Sequence, residues 1–398
     1  MFRDHRALDA TYPPPPLLSL ADVGNKAAVF PLQLLGFDVD IINSVQFSNH
    51  TGYPFGFEGE VLDGSRLLKL IDGMERNGLL SSYSGDGCPG RIGNILTGYI
   101  GSESFLIAVV SVVQKLKGLN PKCRYVCDPV LGDNNEFYVP RGLVDIYKRE
   151  VLPLADVITP NQFEIEQLTG IAIRSIQDAQ RACCVLHDMG VNLVLITSIV
   201  FPGSDENSGG DCERLMADDT TKQAVTPPPD SIAMFASRRK CCLQSSLQRQ
   251  STSMDQSLMM QQEEIRTEHN NITDEQYILY TPRFAGQFTG TGDLCAALFL
   301  GWTAADGSNQ GGDDSENSNE TLLSCSLEKL AGTMHAIVKR TAAASSTTLN
   351  ERANAASSHE LQLIQGRDDI LNPPRLFRAM RVPATNTDTT SNWEGYAA

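Results

Sequence analysis

The stretch Arg124-Tyr125-Val126-Cys127-Asp128-Pro129-Val130-Leu131-Gly132-Asp133 decides the fold class. Its first half is a near-continuous apolar run, which is how a strand covered on both faces reads. It then delivers two carboxylates, Asp128 and Asp133, to its C-terminal edge, where open α/β sheets bind ligands. Outward from it, the same rhythm fills about residues 24 to 200. The patterning predicts strands at 39–47, 95–99, 124–128, 156–159 and 193–198, with helices at 26–35, 65–76, 102–117, 143–152, 162–169 and 176–189. Gly36, Gly118 and Gly190 follow three of the helical patterns, where a left-handed C-cap is wanted. Strand, helix, strand at this spacing means parallel crossovers: an α/β fold with a mostly parallel sheet and helices on both faces.

Composition excludes several functions. The 398 residues are 41% hydrophobic and 20% charged, ample material for a core. A net charge of −16 sets the surface as a whole against nucleic acid and anionic membranes, because phosphate would be repelled. A local pocket for a small phosphorylated ligand stays open. The longest strongly apolar run, Phe105 to Val113, is too short to span a bilayer. The N-terminus has Arg3, Asp4, Arg6 and a proline run after Tyr12, unlike a signal peptide. The ten cysteines fit no zinc spacing, and Cys183-Cys184 and Cys241-Cys242 are adjacent pairs. Reduced thiols in the cytosol are the expectation.

Three stretches break the rhythm. Residues 201–275 are rich in Ser, Asp, Gln, Thr and Pro and show no sustained period, so a largely unstructured insertion is expected there. Within it Arg238-Arg239-Lys240 reads as a solvated charge cluster rather than a localisation signal. Residues 304–320 are polar and acidic and read as a loop between helices. The tail 381–398 reads as loose.

The strongest local chemistry is Thr289-Gly290-Thr291-Gly292-Asp293, running straight into the apolar helix start Leu294 to Leu300. Small residues at a helix N-terminus let backbone N–H groups close on an anion, and the helix dipole favours negative charge there. A carboxylate at that mouth is either an ordinary first-turn acid or a base for an attacking hydroxyl. Thr159-Pro160-Asn161-Gln162-Phe163-Glu164 follows another strand, and Thr197-Ser198 ends a third. Oxygen ligands so grouped suit Mg²⁺, while Asn161 and Glu164 equally form a capping-box pair.

Gly24-Asn25-Lys26-Ala27-Ala28 through Pro31-Leu32-Gln33, Leu35-Gly36-Phe37 and the run Asn43-Ser44-Val45-Gln46-Phe47-Ser48-Asn49-His50-Thr51-Gly52-Tyr53 resemble the pyridoxal kinases, members of the ribokinase-like superfamily. Leu96-Thr97-Gly98-Tyr99, Cys127 to Asp133, Tyr138-Val139-Pro140, Thr159 to Glu164, Gly290 to Asp293 and Gly366 to Ile370 fit the same family in the same order. The resemblance implies a ribokinase-like three-layer α/β sandwich over residues 24–380, acting as a homodimer on B6 vitamers and ATP, without nucleic acid or membrane. It implies Asp293 as general base for the 5′-hydroxymethyl group, with Gly290, Thr291 and Gly292 offering amides to the phosphoryl group. Val23, Thr51 and Tyr99 would contact the vitamer. Asp133 and Glu164 would hold Mg²⁺ or another divalent cation, and Asp128, Thr159 and Thr197 would serve a monovalent cation, K⁺ or Na⁺. Asp128, Asn161, Glu164, Thr197, Ser198, Phe284, Ala285, Gly286 and Thr291 would serve the nucleotide.

The sequence departs from that family in three places: residues 1–23, an inserted stretch at 84–94, and the long 201–275 segment. The prolines Pro13 to Pro16 cannot form an interior strand, one of them standing where the family has a substrate-side serine. Leu17 to Val23 looks too short for a central strand plus its loop, so the family's first strand is expected to be missing. Two rival readings remain: hydroxymethylpyrimidine kinase, which usually has cysteine where Asp293 stands, and a non-catalytic vitamer-binding paralogue.

Overall fold

A computed structural model describes residues 17–21, 24–51, 53, 55–80, 92–202, 227–239, 274–286, 288–304, 321–345 and 360–383. The strands are β1 (Leu17–Ala21), β2 (Val39–Asn43), β3 (Val45–Phe47), β4 (Gly59–Val61), β5 (Asn94–Thr97), β6 (Arg124–Cys127), β7 (Gly132–Asp133), β8 (Glu136–Phe137), β9 (Val157–Ile158), β10 (Leu193–Ile199), β11 (Ser231–Arg238), β12 (Glu275–Pro282) and β13 (Met380–Arg381). The helices are α1 (Asn25–Leu34), α2 (Gly64–Arg76), α3 (Glu103–Leu119), α4 (Leu143–Ile146), α5 (Gln162–Thr169), α6 (Ile176–Asp188), α7 (Thr291–Ala304), α8 (Leu322–Ser345) and α9 (Arg367–Leu371). After α4 the chain continues as a π-helical turn, Tyr147–Val151, and a 3-10 turn, Leu152–Leu154, rather than as one α-helix.

The main sheet has the order β13-β12-β11-β10-β9-β6-β5-β1-β2. From β2 to β10 every pairing is parallel; β11, β12 and β13 are added antiparallel. Two antiparallel steps return β12 to the sense of β10, so β12 also ends at the carboxyl edge of the parallel strands.

Successive strand residues alternate between two cores. Leu18, Ile95, Tyr125, Cys127, Ile158, Val194, Ile196 and Phe235 join α2, α3, α5 and α6 on one face. Leu17, Leu96, Val126, Val157, Leu193, Leu195, Met234 and Ala236 join α1, α7 and α8 on the other. Period-two alternation between two apolar layers is why these strands read as unbroken apolar runs. The result is a three-layer sandwich, as the sequence implied.

Four expectations need correcting. The first strand is present: β1 lies in the sheet interior, parallel to β2 on one side and β5 on the other. Its five residues are Leu17–Ala21, enough to cross a sheet at about 3.3 Å per residue; Pro13 to Pro16 lie outside the described residues. The 201–275 segment is not an uninterrupted insertion, because β11 pairs with β10 and β12 along its length. The rest of that segment, 203–226 and 240–273, lies outside the described residues, as do 81–91, 305–320 and 384–398. Arg238 belongs to β11, and Arg239 donates to the His187 carbonyl and pairs with Asp188 at 3.2 Å, so those two are structural rather than free charges. Finally, Gly36 and Gly190 take positive φ (90° and 115°) after their helices, but Gly118 sits inside α3.

Candidate active site

The residues singled out above converge on the carboxyl edge of the sheet. β1 leads to Gly24, β5 to Gly98 and Tyr99, β6 to Asp128, β9 to Thr159 and β10 to Thr197 and Ser198; β12 leads through Phe284 to the Thr289–Asp293 turn. A small cavity at this edge is lined by Ala28, Leu96, Thr97, Gly98, Asp128, Asp293 and Ala296.

Asp128 is the electrostatic centre. It is buried, its Oδ1 accepts from Thr159 Oγ1 at 3.3 Å, and its Oδ2 has no hydrogen-bond partner among the described residues. Burial pushes its carboxyl well above the usual range, and the negative charges of Glu164 and Asp293 push it further. Glu164 is also buried. Its Oε1 accepts from the Leu131 amide at 3.0 Å and its Oε2 from the Asn161 amide at 2.8 Å. Burial raises its pKa to about 8 against the lowering effect of the Asn161, Leu131 and Gly132 amides, with the neighbouring Asp133 adding to the rise.

Of the two readings of Asn161 and Glu164, the capping pair is the one the hydrogen bonds form. Asn161 Oδ1 accepts from the Glu164 amide at 2.9 Å, completing a capping box at the start of α5. Its Nδ2 donates to the Gly132 carbonyl at 2.8 Å and pins the β7–β8 hairpin. That hairpin turns through Asn134 and Asn135 at φ 50° and 64°, the left-handed pair that a tight two-residue hairpin needs. Asp133 stands exposed on β7, its Oδ1 accepting from the Asn134 amide at 2.8 Å.

Asp293 opens α7 in its first turn. Gly24 faces it so closely that a Cβ there would overlap the carboxylate, and a Cβ on Gly292 would lie 3.4 Å from Asp128 Oδ2. Gly290 has φ 89° and packs against Ala27. Thr291 Oγ1 donates to the Phe288 carbonyl at 3.4 Å. Thr197 and Ser198 sit where the β10–β11 register shifts between Ile196 and Ile199, and both are half-buried within an otherwise buried strand. A bulge re-aims side chains in this way. The Thr197 amide donates to the Pro160 carbonyl at 2.9 Å.

Thr51 lies exposed in the turn after β3, and Tyr99 is half-buried, its carbonyl accepting from Ser44 Oγ at 2.9 Å. Phe284 packs on His335, with ring centroids 5.1 Å apart, while Ala285 and Gly286 are exposed. Val23 lies outside the described residues. Two features escaped the sequence reading. Gly24 has its steric relation to Asp293, and a ladder runs from buried Ser19 Oγ, donating to Asn25 Oδ1 at 2.8 Å, to Asn25 Nδ2, donating to exposed Asn43 Oδ1 at 2.6 Å. No local pattern or periodicity signals either.

The acids suit a hard cation, since Asp128 keeps an orphaned buried oxygen beside the carboxylate of Glu164 and the hydroxyl of Thr159. Among the described residues no three acidic, His or Cys side chains form a metal cluster by themselves. Mg²⁺ commonly takes one or two carboxylates and completes its shell with water and substrate phosphates.

Phosphoryl transfer is the chemistry that makes sense of clustered acids beside a glycine-rich turn at a helix start, and on this sandwich it defines a ribokinase-like small-molecule kinase. A family model described as phosphomethylpyrimidine kinase matches residues 91–227. Pyridoxal kinase of Arabidopsis thaliana is 38% identical over 364 residues, covering 90% of each chain. The human pyridoxal kinase is 33% identical over 362 residues, covering 90% of this chain and 93% of the relative. The structure of Leishmania donovani pyridoxal kinase with ADP and ginkgotoxin superposes with a TM-score of 0.66 at 25% identity, over 92% of this chain and 99% of that one. The chain belongs to the pyridoxal kinase family.

Proposed function

We propose that this chain transfers the γ-phosphoryl group of ATP to the 5′-hydroxymethyl group of pyridoxal, pyridoxine and pyridoxamine. The observation that carries the reading is Asp293 in the first turn of α7, with Gly24 leaving it room and Asp128 behind it. Asp293 takes the hydroxyl proton as the substrate oxygen attacks the γ-phosphorus and the bond to the β-phosphate oxygen breaks. Gly290, Thr291 and Gly292 turn their amides to the transferring group, helped by the positive end of α7. Thr51, Tyr99 and Val23 hold the pyridine ring. Asn161, Thr197, Ser198, Thr291 and the 284–286 stretch hold the nucleotide, together with Asp128 and Glu164. A divalent cation held by Asp133 and Glu164 would neutralise charge on the phosphates, and a monovalent cation would sit by Asp128, Thr159 and Thr197. The raised pKa values of Asp128 and Glu164 support this, because bound positive charge relieves the cost of ionising buried acids.

We also read the protein as a cytosolic homodimer. Ile41 on the edge strand β2 is 48% exposed, and Leu68, Leu70 and Ile107 on α2 and α3 are similarly uncovered; apolar surface of this kind suits a subunit contact. Cysteines 123, 127, 183, 184 and 295 form no disulfide among the described residues, which fits a reducing compartment. No helix among the described residues is long and apolar enough to cross a membrane.

The test is incubation with ATP, Mg²⁺ and each vitamer, following phosphorylated product by phosphorus NMR. Turnover of pyridoxal is expected, and its absence in folded protein that binds ATP would favour the non-catalytic reading. The family-model match supports hydroxymethylpyrimidine as the competing substrate. Preferential turnover of that pyrimidine would replace the vitamer assignment.

A further inference from the structure

Glu360 has no role in the reading above, yet it touches three parts of the site. Its Oε1 accepts from the Tyr53 hydroxyl at 3.1 Å, and its Oε2 lies 3.5 Å from Lys26 Nζ. Its backbone forms an isolated parallel bridge with Thr289. Tyr53 lies in the flap between β3 and β4, two residues beyond Thr51, and stacks edge-on against His50 with centroids 4.6 Å apart. Lys26 is in the first turn of α1, just past Gly24, and Thr289 immediately precedes Gly290.

The carboxylate is the fixed end of this tie. The Gln362 amide donates to Thr341 Oγ1 on α8 at 3.1 Å, and Leu363 is buried in the core beneath α7 and α8. Leu361 reaches within 3.9 Å of the position a Gly290 Cβ would take. The flap is the free end: β3 and β4 share three paired positions, and Phe55 is 90% exposed. Segments with few buried contacts open at low cost, so one tie near the tip matters. The ion pair to Lys26, with that side chain 82% exposed, contributes little. The Tyr53 bond matters more. Burial first, and then the Glu360 carboxylate, push the Tyr53 hydroxyl up, keeping it a proton donor at neutral pH.

We propose that Glu360 is a positioning residue that latches the β3–β4 flap, through Tyr53, over the Thr289–Asp293 turn and so shapes the vitamer pocket. The proposal rests on the kinase reading above; Glu360 itself touches no reacting atom.

The experiment compares kcat and KM for pyridoxal and for ATP in wild type, Glu360→Ala, Glu360→Gln, Tyr53→Phe and the Glu360→Ala/Tyr53→Phe double variant. A hydrogen bond to a charged group supports a rise of roughly tenfold in the KM for pyridoxal in Glu360→Ala and Tyr53→Phe. The KM for ATP should stay within about twofold. The double variant should be no worse than the worse single one, because both remove the same interaction. Glu360→Gln keeps an oxygen that accepts from Tyr53 and should recover most of the loss. Additive losses, an equal rise in both KM values, or Gln as damaging as Ala would overturn the latch. Should Glu360→Ala fail to fold, Tyr53→Phe alone decides: an unchanged pyridoxal KM sinks the proposal. Wild type that does not turn over pyridoxal sinks the kinase reading instead. The latch is then read by hydrogen exchange at the Ser48 and Leu62 amides, which close the flap through Glu58 and Ser44. Faster exchange in Tyr53→Phe supports it, and equal exchange refutes it.

Discussion

Replacing Gly24 by alanine should separate catalysis from stability. Gly24 has φ −60° and ψ −20°, a right-handed conformation that alanine adopts without strain. On backbone grounds the change should stabilise by about 0.4–1 kcal/mol, through the unfolded chain. The side chain meets a different fate. An ideal Cβ on Gly24 would fall 2.1 Å from Cγ and Oδ1 of Asp293, where ordinary contact begins at 3.4 Å. The carboxylate must therefore retreat by roughly 1 Å, and misplacement on that scale costs on the order of 10²-fold in rate. Because Asp293 can rotate rather than force the backbone apart, the melting temperature should hold. The assay is steady-state phosphorylation of pyridoxal with ATP saturating, beside calorimetric ATP binding and thermal unfolding. A roughly 10²-fold lower kcat with ATP affinity and Tm preserved is the expected pattern. A kcat within about threefold of wild type would refute the reasoning, because the reacting groups would then tolerate a displaced Asp293.

Asp293→Asn should lower kcat at least ~10²-fold while ATP binding largely survives, measured by the same kinetics and titration calorimetry. Glu164 has a folded pKa near 8 against 4.5 for the free carboxyl, so its contribution to stability is full below about 4.5 and is lost as pH rises through about 8. Thermal unfolding in chelator should show Tm falling across that window, with Mg²⁺ recovering part of the loss at high pH; the same slope in Glu164→Gln would remove Glu164 as its source. Ser19→Ala removes one hydrogen bond to buried Asn25 Oδ1 and should cost about 0.5–1.5 kcal/mol, read by urea unfolding. A change under about 0.5 kcal/mol would mean that water or a neighbour replaces the hydroxyl.

The parallel half of the sheet was readable because each of its strands is buried on both faces, leaving apolar runs such as Tyr125-Val126-Cys127 that few other structures require. β11 carries a comparable run, Ile232 to Phe235, but it is isolated among prolines, serines and glutamines, and the composition around it masked the signal. β1 was missed for the opposite reason, since the prolines before it drew attention to what they forbid rather than to the five residues after them. That Asp128, Glu164 and Asp293 come together was legible because acids at strand ends and helix starts meet at the carboxyl edge by topology. Gly24 against Asp293 and Glu360 on Tyr53 depend on side-chain packing between distant segments, in the last case 307 residues apart, and Ser19 on Asn25 depends on how β1 and α1 come together. Local patterns hold no record of such contacts.

The meeting of Gly24 with Asp293 has a consequence during synthesis. A ribosome adds about 5–20 residues per second. Asp128 and Glu164 are therefore translated on the order of 10 s before Asp293 exists. Throughout that interval the nascent chain holds acids whose neighbours are missing, and β10 presents an open edge until β11 arrives to cover it. On the proposed reading of Asp293 as the base, a chain that ends before residue 293 lacks the group that would take the substrate proton. The growing chain's uncovered β10 edge is the place where a holding chaperone would have most to shield.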